Sequence, residues 1–293
     1  MQKNITIVGA GLVGSLAALY LTKRGHKVTI FERRKDLRSE IITAGKSINL
    51  ALSKRGWTAL EKVGMHKQVM DIAIAMDKRI MHDEKGNLTQ QPYGNEGEAI
   101  YSVSRAELNV LMMEMAEQNG ATLYFDEKCV DANLEEAIAT FQNANTSIKQ
   151  TVSADVLIGA DGAFSRIRHR MQRQSMFDYS QEFMQIGYKE LHIPANADGS
   201  HKIDKNSLHI WPRGKFMLIA LPNTDKTFTC TLFAPLKGSN SFEKINTSKE
   251  ILNFFKTEFP DTIALIPNLV KDFISNPVGK LSSIYCEKWN YKD

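Results

Sequence analysis

Cysteine is scarce: Cys129, Cys230 and Cys286 are an odd three, far apart in the chain, and no CxxC pair occurs. That excludes a disulfide framework and fits a reducing compartment, so the expected location is the cytoplasm. Long apolar runs are equally rare. The one stretch that resembles a leader or a short span, Ile5 to Leu21, holds three glycines and flows into Thr22-Lys23-Arg24-Gly25 without a small-residue cleavage site. No membrane contact is therefore expected of this chain. There is no long Lys/Arg run and no aromatic-rich basic motif, which argues against a nucleic-acid partner. The 37 Lys+Arg and 33 Asp+Glu leave a net charge of +4, better matched to small anionic ligands. The seven histidines (His26, His66, His82, His169, His192, His201 and His209) never pair at metal-ligand spacing, and no metal is expected. A GxSxG elbow, a P-loop, clustered carboxylates, internal repeats and low-complexity tracts are also missing, which argues against the common hydrolase and NTPase sites and against repeat architectures.

What is present is an ordinary globular composition. The 293 residues are 43% hydrophobic and 24% charged, which sets aside disorder and collagen-like structure. At roughly 150 residues per domain this length predicts about two domains and a sizeable core.

Ile5-Thr6-Ile7-Val8 is a short apolar run, followed at once by Gly9-Ala10-Gly11-Leu12-Val13-Gly14 and then by Ser15 to Leu21, which reads as a helix packed on a sheet. A second strand, Lys27 to Phe31, ends in Glu32, eighteen residues beyond Gly14 and close to the spacing of a ribose-binding carboxylate. Strand, glycine turn, helix, strand and acid make a βαβ dinucleotide unit. Gly9 permits the sharp turn, Gly11 lets backbone approach a pyrophosphate, and Gly14 lets helix and strand pack closely. The helix beginning near Leu12 offers unpaired N–H groups and the positive end of its dipole to the phosphates. A carboxylate at position 32 disfavours a 2′-phosphate, so adenosine of FAD or NAD fits better than that of NADP.

Further on, Trp57 to Met65 has helical apolar spacing, Arg79 to His82 begins a strand, and Ser104 to Gln118 reads as a helix with Ser104 as N-cap, Glu107 three residues on and Gly120 past its end. Ala121 to Phe125 reads as a strand and Asn143 to Ser153 as a polar hairpin. Asp155 to Gly159 reads as a fully buried strand by its apolar run. Beyond about residue 176 the pattern becomes strand-rich: Ile186 to Ile193, Ser207 to Pro212, Phe216 to Leu221 and Thr227 to Phe233, followed by an amphipathic helix over Ser248 to Phe259. His209-Ile210-Trp211-Pro212-Arg213 reads plainly as a sheet strand ending at proline, with Trp211 in the core.

After the strand at 155–159 comes Asp161-Gly162-Ala163-Phe164-Ser165-Arg166-Ile167-Arg168. Standing alone, this could be a turn with a helix-capping aspartate. Together with the N-terminal glycine motif it resembles the aromatic-ring flavoprotein hydroxylases, single-component FAD monooxygenases. Within that family the likeness is to the kynurenine-hydroxylating branch, carried by whole phrases: Gly11 to Leu16, Ser47 to Ser53, Tyr101 to Arg105, Phe177 to Gln181, Leu208 to Arg213, Ala220 to Asn223 and Phe228 to Phe233. The resemblance runs from the N-terminus to about Pro277.

The resemblance implies an α/β fold: a Rossmann-like FAD-binding domain over 1–175, interrupted by about 76–100, which joins the substrate sheet, and a mixed-sheet substrate domain over 176–293. It implies FAD as cofactor, NADPH as co-substrate, and L-kynurenine and O2 as substrates, with 3-hydroxykynurenine formed on the route from tryptophan to quinolinate and NAD. Carried over residue by residue, Gly9, Gly11, Val13, Gly14, Glu32, Arg34, Ala51, Arg105, Cys129 and Asp161 fall where the family contacts FAD. Asp161 and Arg168 also take candidate roles in admitting NADPH. Arg79 and Tyr93 fall where the family holds the amino-acid carboxylate, chemistry suited to a guanidinium fork and a phenol. Without the resemblance, Arg79 reads as a solvated arginine and Tyr93 as a core or turn residue after Pro92. No side chain is expected to act as a nucleophile, because the flavin carries the chemistry.

The family's later Gly-Asp-Ala-Ala-His motif and the helical part beyond it have no counterpart here, since the chain contains no Gly-Asp dipeptide. The expectation is that the C-terminal third of the family fold is absent from this chain. Two alternatives stay open: an FAD hydroxylase of another aromatic acid, or a catalytically silent nucleotide-binding fragment.

Overall fold

The computed structural model describes residues 1–39, 48–95 and 97–291. Ser47, part of one of the matching phrases, lies outside them. The first stretch of chain forms β1 (Asn4–Val8), α1 (Leu12–Thr22), β2 (Lys27–Phe31), β3 (Asn49–Leu52), α2 (Lys54–Glu61), α3 (His66–Asp71), β4 (Ala73–Met76), β5 (Lys78–His82), β6 (Leu88–Pro92) and β7 (Ile100–Ser104). Next come α4 (Arg105–Gln118), β8 (Thr122–Tyr124), β9 (Glu127–Asn133), β10 (Ile138–Asn143), β11 (Lys149–Ser153), β12 (Val156–Gly159) and α5 (Arg166–Met171). The remainder is β13 (Tyr179–Ile193), β14 (Ser207–Arg213), β15 (Phe216–Pro222), β16 (Phe228–Pro235), α6 (Ser248–Glu258), α7 (Leu269–Ser275) and β17 (Gly279–Cys286).

A four-stranded sheet of order β12-β1-β2-β8 is parallel throughout, as right-handed βαβ connections require. Helices α1 and α4 pack on it through a core that includes Ile7, Leu19, Ile30, Met112 and Met113. The apolar run of β1 is buried at every position but its first, which is the pattern of a parallel strand covered on both faces. Ser104 caps α4 by accepting from the Glu107 N–H, and Thr247 and Glu250 form a reciprocal capping box on α6.

The structure departs from the sequence expectation at several elements. The helix expected over Trp57–Met65 is α2, which begins earlier, at Lys54, and ends at Glu61 because the chain turns at Gly64 with φ +72°; a separate short helix, α3, follows from His66. The strand expected to be fully buried, β12, is an edge: its residues are half-buried and Gly159 is exposed. Among the described residues it pairs only with β1. An apolar run signals covered faces, yet burial also needs a strand on each side, and β12 has one.

The larger sheet has seven strands in the order β17-β13-β16-β15-β14-β5-β6. Its central strands are consecutive antiparallel neighbours, but β5 comes from far earlier in the chain and pairs parallel to β14, with Leu208 opposite Arg79 and Ile210 opposite Met81. One face is sealed by α6 and α7 through Trp211, Leu218, Phe228, Leu232, Phe255 and Phe273. The Lys189 ammonium is buried on that side and donates to the carbonyls of Phe273 and Asn276, at 2.6 and 2.7 Å, where α7 ends. A cation at a helix C-terminus satisfies otherwise orphaned carbonyls.

Candidate functional site

At the end of β1 the backbone turns at Gly9 with φ +102°. A Cβ on Gly9 would lie 2.6 Å from the Ala160 carbonyl oxygen, and one on Gly14 would lie 1.9 Å from the Gly9 carbonyl oxygen. Both positions are closed to any side chain by the protein's own backbone. A Cβ on Gly11, by contrast, would meet nothing within 4 Å among the described residues, so none of them closes the middle of the loop. Helix α1 starts there, with Gly11 as an N-cap that supplies no side-chain bond and no acidic residue in its first turn. Its first N–H groups have no intrahelical partner and point, with the positive end of the dipole, out of the loop beside exposed Val13.

Glu32 reaches this loop from the tip of β2. Its carboxylate is buried, with Oε2 accepting from the Ala10 N–H at 2.8 Å and Oε1 accepting from the Arg34 N–H at 3.0 Å and Nε at 2.8 Å. Burial pushes this carboxyl up, but the hydrogen bonds and charge of Arg34 and the bond from Ala10 outweigh it and hold the group below the ordinary glutamate value. An ionised carboxylate has about four acceptor positions and three are occupied, so one remains for a ligand hydroxyl. Asn109, on α4, was not found from sequence: its buried amide donates to the Ala10 carbonyl at 2.9 Å. A polar residue set in the apolar run Leu108 to Met113, four residues beyond Arg105, was the available signal.

Asp161 closes the same end of the sheet, since its Cα would lie 3.1 Å from a Cβ on Gly9. Its Oδ2 accepts from the Arg166 N–H at 2.6 Å, while its Oδ1 is buried without a hydrogen-bond partner among the described residues. A buried acceptor left unpaired costs about 1–3 kcal/mol, so this oxygen is poised for a donor. Arg168 folds back, donating to the carbonyls of Gly162 and Ala163 and stacking its guanidinium over Tyr179 at 4.9 Å. Cys129 lies beneath, among Val8, Phe31, Phe141 and Ile167, and burial pushes its thiol up to about 12. Its side chain is packing, not ligand surface.

Two further carried-over residues lie on, or directly follow, the small sheet of order β3-β7-β4. Ala51 is exposed on β3 opposite Ser102, and Arg105 is exposed at the start of α4. This sheet is the seam between the two larger ones: Asn49 Nδ2 donates to Asn223 Oδ1 at 2.6 Å, and Ser102 Oγ donates to the Pro222 carbonyl at 2.8 Å.

Arg79 and Tyr93 stand apart from the glycine loop, on the β5–β6 hairpin of the large sheet. Arg79 is exposed, lies on the face of β5 opposite the α6 and α7 layer, and makes no ion pair among the described residues. Burial pushes the Tyr93 phenol above its ordinary value, and the neighbouring Arg79 charge acts in the opposite sense, so the two groups share one patch. On the covered face of the same strand, His82 Nδ1 lies 3.0 Å from Asp261 Oδ2 and its Nε2 lies 2.9 Å from His209 Nδ1. Trp211 Nε1 donates to the same Asp261 oxygen at 2.7 Å. Because His209 Nε2 faces the Asp204 carbonyl oxygen at 2.9 Å, that nitrogen donates and Nδ1 accepts. His82 thus bridges a histidine and a carboxylate. These two histidines are 127 residues apart in sequence, which is why no spacing rule revealed the pair.

Comparison with known proteins agrees with this architecture. The chain is 54% identical over its whole length to the kynurenine 3-monooxygenase of Flavobacterium psychrophilum and spans 66% of that protein. It is 52% identical to the kynurenine 3-monooxygenase of Christiangramia forsetii, of which it spans 65%, and 42% identical to that of Stenotrophomonas maltophilia, of which it spans 64%. The chain thus spans just under two thirds of the length of the curated relatives it matches. Among solved structures, a tetrameric 2-methyl-3-hydroxypyridine-5-carboxylic acid oxygenase superposes with a TM-score of 0.78 at 17% identity, over 98% of this chain and 72% of that one. A tetracycline destructase superposes with a TM-score of 0.65 at 13% identity, over 100% of this chain and 73% of that one. These likenesses show a shared mixed α/β fold. Residues 2–262 match the FAD binding domain family, and since that match takes in the glycine loop, Glu32, Asp161 and most of the large sheet, the chain belongs to that family.

Proposed function

We propose that this chain forms the cofactor- and substrate-binding body of an FAD-dependent monooxygenase that converts L-kynurenine, NADPH, a proton and O2 into 3-hydroxykynurenine, NADP+ and water. The observation that carries the reading is the open cradle at Gly11, closed on its other sides by Gly9 and Gly14 and flanked by two acceptors with capacity to spare, Glu32 and Asp161. The relatives named kynurenine 3-monooxygenase supply the substrate.

These residues fit FAD. The first-turn N–H groups of α1 suit a pyrophosphate, Glu32 has an acceptor position for a ribose hydroxyl, and the orphaned Asp161 Oδ1 has the right chemistry for a hydroxyl or N–H donor of the cofactor. Arg34 holds Glu32 ionised, while Ala51 and Arg105 border the same body from the seam. For Val13 and Cys129 the contact proposed is through backbone, since Val13 is bared on the first turn of α1 and the Cys129 side chain is turned into packing. When bound, FAD supplies the redox and oxygen chemistry, drawing its electrons from NADPH.

The protein's own part is binding and orientation. Arg79 supplies a fixed positive charge and Tyr93 a hydroxyl for the amino-acid carboxylate, leaving the aromatic ring to lie against the apolar residues of the same sheet face. Residues 1–175, interrupted by about 76–100, make up the cofactor part and residues 176–293 the substrate part, a division supported by β5 and β6 joining the seven-stranded sheet. The proposed compartment is the cytoplasm, in keeping with three free cysteines. Among the described residues no helix is long and apolar enough to cross a membrane.

The test is to load the purified chain with FAD and measure NADPH consumption with and without L-kynurenine, identifying any product by mass. Acceleration with a product one oxygen heavier is expected. An FAD-loaded chain that neither binds nor responds to kynurenine while responding to another aromatic acid overturns the substrate, and a chain that takes up no FAD overturns the reading as a whole.

A further inference from the structure

Arg79 has no carboxylate partner among the described residues, yet it is not left to swing freely. It sits directly opposite Gln91 in the antiparallel β5–β6 pair, and its Nε donates to Gln91 Oε1 at 2.7 Å. A guanidinium only donates, so the amide orientation of Gln91 is fixed: the oxygen faces Arg79. A guanidinium presents a carboxylate with two bidentate edges, a side-on edge that uses Nε and an end-on edge made of Nη1 and Nη2. With Nε occupied, the side-on edge is blocked and the end-on edge remains.

Resting on the proposed function, we propose that Gln91 is a positioning residue for the substrate carboxylate, pinning the Arg79 guanidinium so that Nη1 and Nη2 face the ligand. The cross-strand geometry supports this directly. Residues opposite one another on adjacent strands are within reach, and a planar fork held at Nε loses rotational freedom about its long stem before the ligand arrives, so less is lost on binding. Gln91 is neutral, so it holds the arginine without cancelling the charge that the substrate needs. A glutamate at that position would hold the fork equally well and repel the carboxylate. Tyr93, two residues on and within the field of Arg79, adds its hydroxyl at the same patch.

The inference separates from a general structural effect because it concerns one functional group of the ligand. The experiment compares L-kynurenine with kynuramine, the same aryl ketone amine lacking the carboxylate, by equilibrium binding to the FAD-loaded chain, for the unaltered protein, Gln91→Met and Gln91→Glu. The unaltered protein is expected to prefer kynurenine. Gln91→Met, of similar shape without the amide oxygen, is expected to weaken kynurenine about five- to tenfold and leave kynuramine within about twofold, because the fork must then be ordered on binding. Gln91→Glu is expected to weaken kynurenine further, again sparing kynuramine. If either variant weakens both ligands equally, or if Gln91→Met changes neither, Gln91 does not position the carboxylate fork and the inference falls while the functional reading stands. If the unaltered protein binds neither ligand, the functional reading itself falls and takes this one with it.

Discussion

The glycine-loop end and the seven-stranded sheet are built by opposite strategies. At the loop the chemistry is carried by backbone and is local: Gly9 to Gly14, α1 and Glu32 lie within one βαβ unit, and the loop's shape is set by contacts such as the 1.9 Å approach that a Gly14 Cβ would make to the Gly9 carbonyl. In the large sheet the chemistry is carried by side chains and assembled from afar. Arg79 and His82 come from β5, His209 and Trp211 from β14, and Asp261 from the turn after α6, so that one strand presents, on its open face, a cation with no ion pair among the described residues and, on its covered face, a buried hydrogen-bond chain. A local device can be read from spacing, whereas an assembled one exists only after the sheet has chosen its strand order.

The sharpest way to break this contrast is at the glycines. Gly14→Ala forces a side chain into backbone that has no room to move, and is expected to abolish FAD retention, a loss of more than about 100-fold, with a large fall in melting temperature. Gly11→Ala, where a Cβ meets no atom of the described residues within 4 Å, is expected to keep the melting temperature within a few degrees and still weaken FAD. Equal loss of stability in the two variants would refute the division of labour between them.

On the sheet side, Asp261→Ala leaves Trp211 Nε1 and His82 Nδ1 without their shared acceptor. Removing a charged acceptor costs about 1.5–3 kcal/mol, readable by urea unfolding, and kynurenine affinity is expected to weaken as β5 loosens. Glu32→Gln should do the reverse: it is expected to weaken FAD about tenfold or more while altering stability less, since a neutral amide cannot accept from Ala10 and Arg34 in the same way. If the two variants exchanged phenotypes, the contrast between regions would be wrong.

Acid should report on both regions. Glu32 has a lowered folded-state value, so its contribution is present above the ordinary glutamate range and is lost as pH falls through the folded value. His209 is buried and its value is lowered from 6.5 to about 4, chiefly by burial, with the nearby positive charges of His82 and Lys78 adding to it and Asp204 opposing. Its folded value lies below its unfolded one, so stability is fully present above about 6.5 and declines as pH falls towards 4. Melting temperature is expected to fall across that window and His209→Gln to flatten the decline; a slope unchanged by the substitution would place the acid response elsewhere. The smallest effect expected is that of Asn109→Ala, about 1 kcal/mol from the lost bond to the Ala10 carbonyl, visible as a two- to fivefold weaker grip on FAD.

Local signals were legible where they were dense. The Ser104 cap, Glu107 and Gly120 bracket α4, and the alternating strands after residue 200 appear as β14, β15 and β16 within a residue or two. Strand β13 begins at Tyr179, earlier than its apolar pattern at Ile186, because its first half is a ribbon with β17 whose Phe183 and Met184 remain exposed. Burial had sharpened the pattern only where α7 covers the strand. Of the candidate site residues, Glu32 and the glycines were singled out by spacing and Asp161 by the resemblance that its motif carries. Asn109 and Gln91 were missed, because each acts on a partner that only folding brings near.

By itself the sequence determined the βαβ unit and its acid, since turn geometry, helix start and ribose spacing are all fixed within about thirty consecutive residues. It also determined the alternation that builds the large sheet. Only the tertiary structure decided that β5 would lie parallel to β14, that β12 would be an edge, and that His82, His209 and Asp261 would meet. Those outcomes depend on which strands find neighbours and which faces are covered, and contacts separated by more than a hundred residues leave no period in the chain from which they can be read.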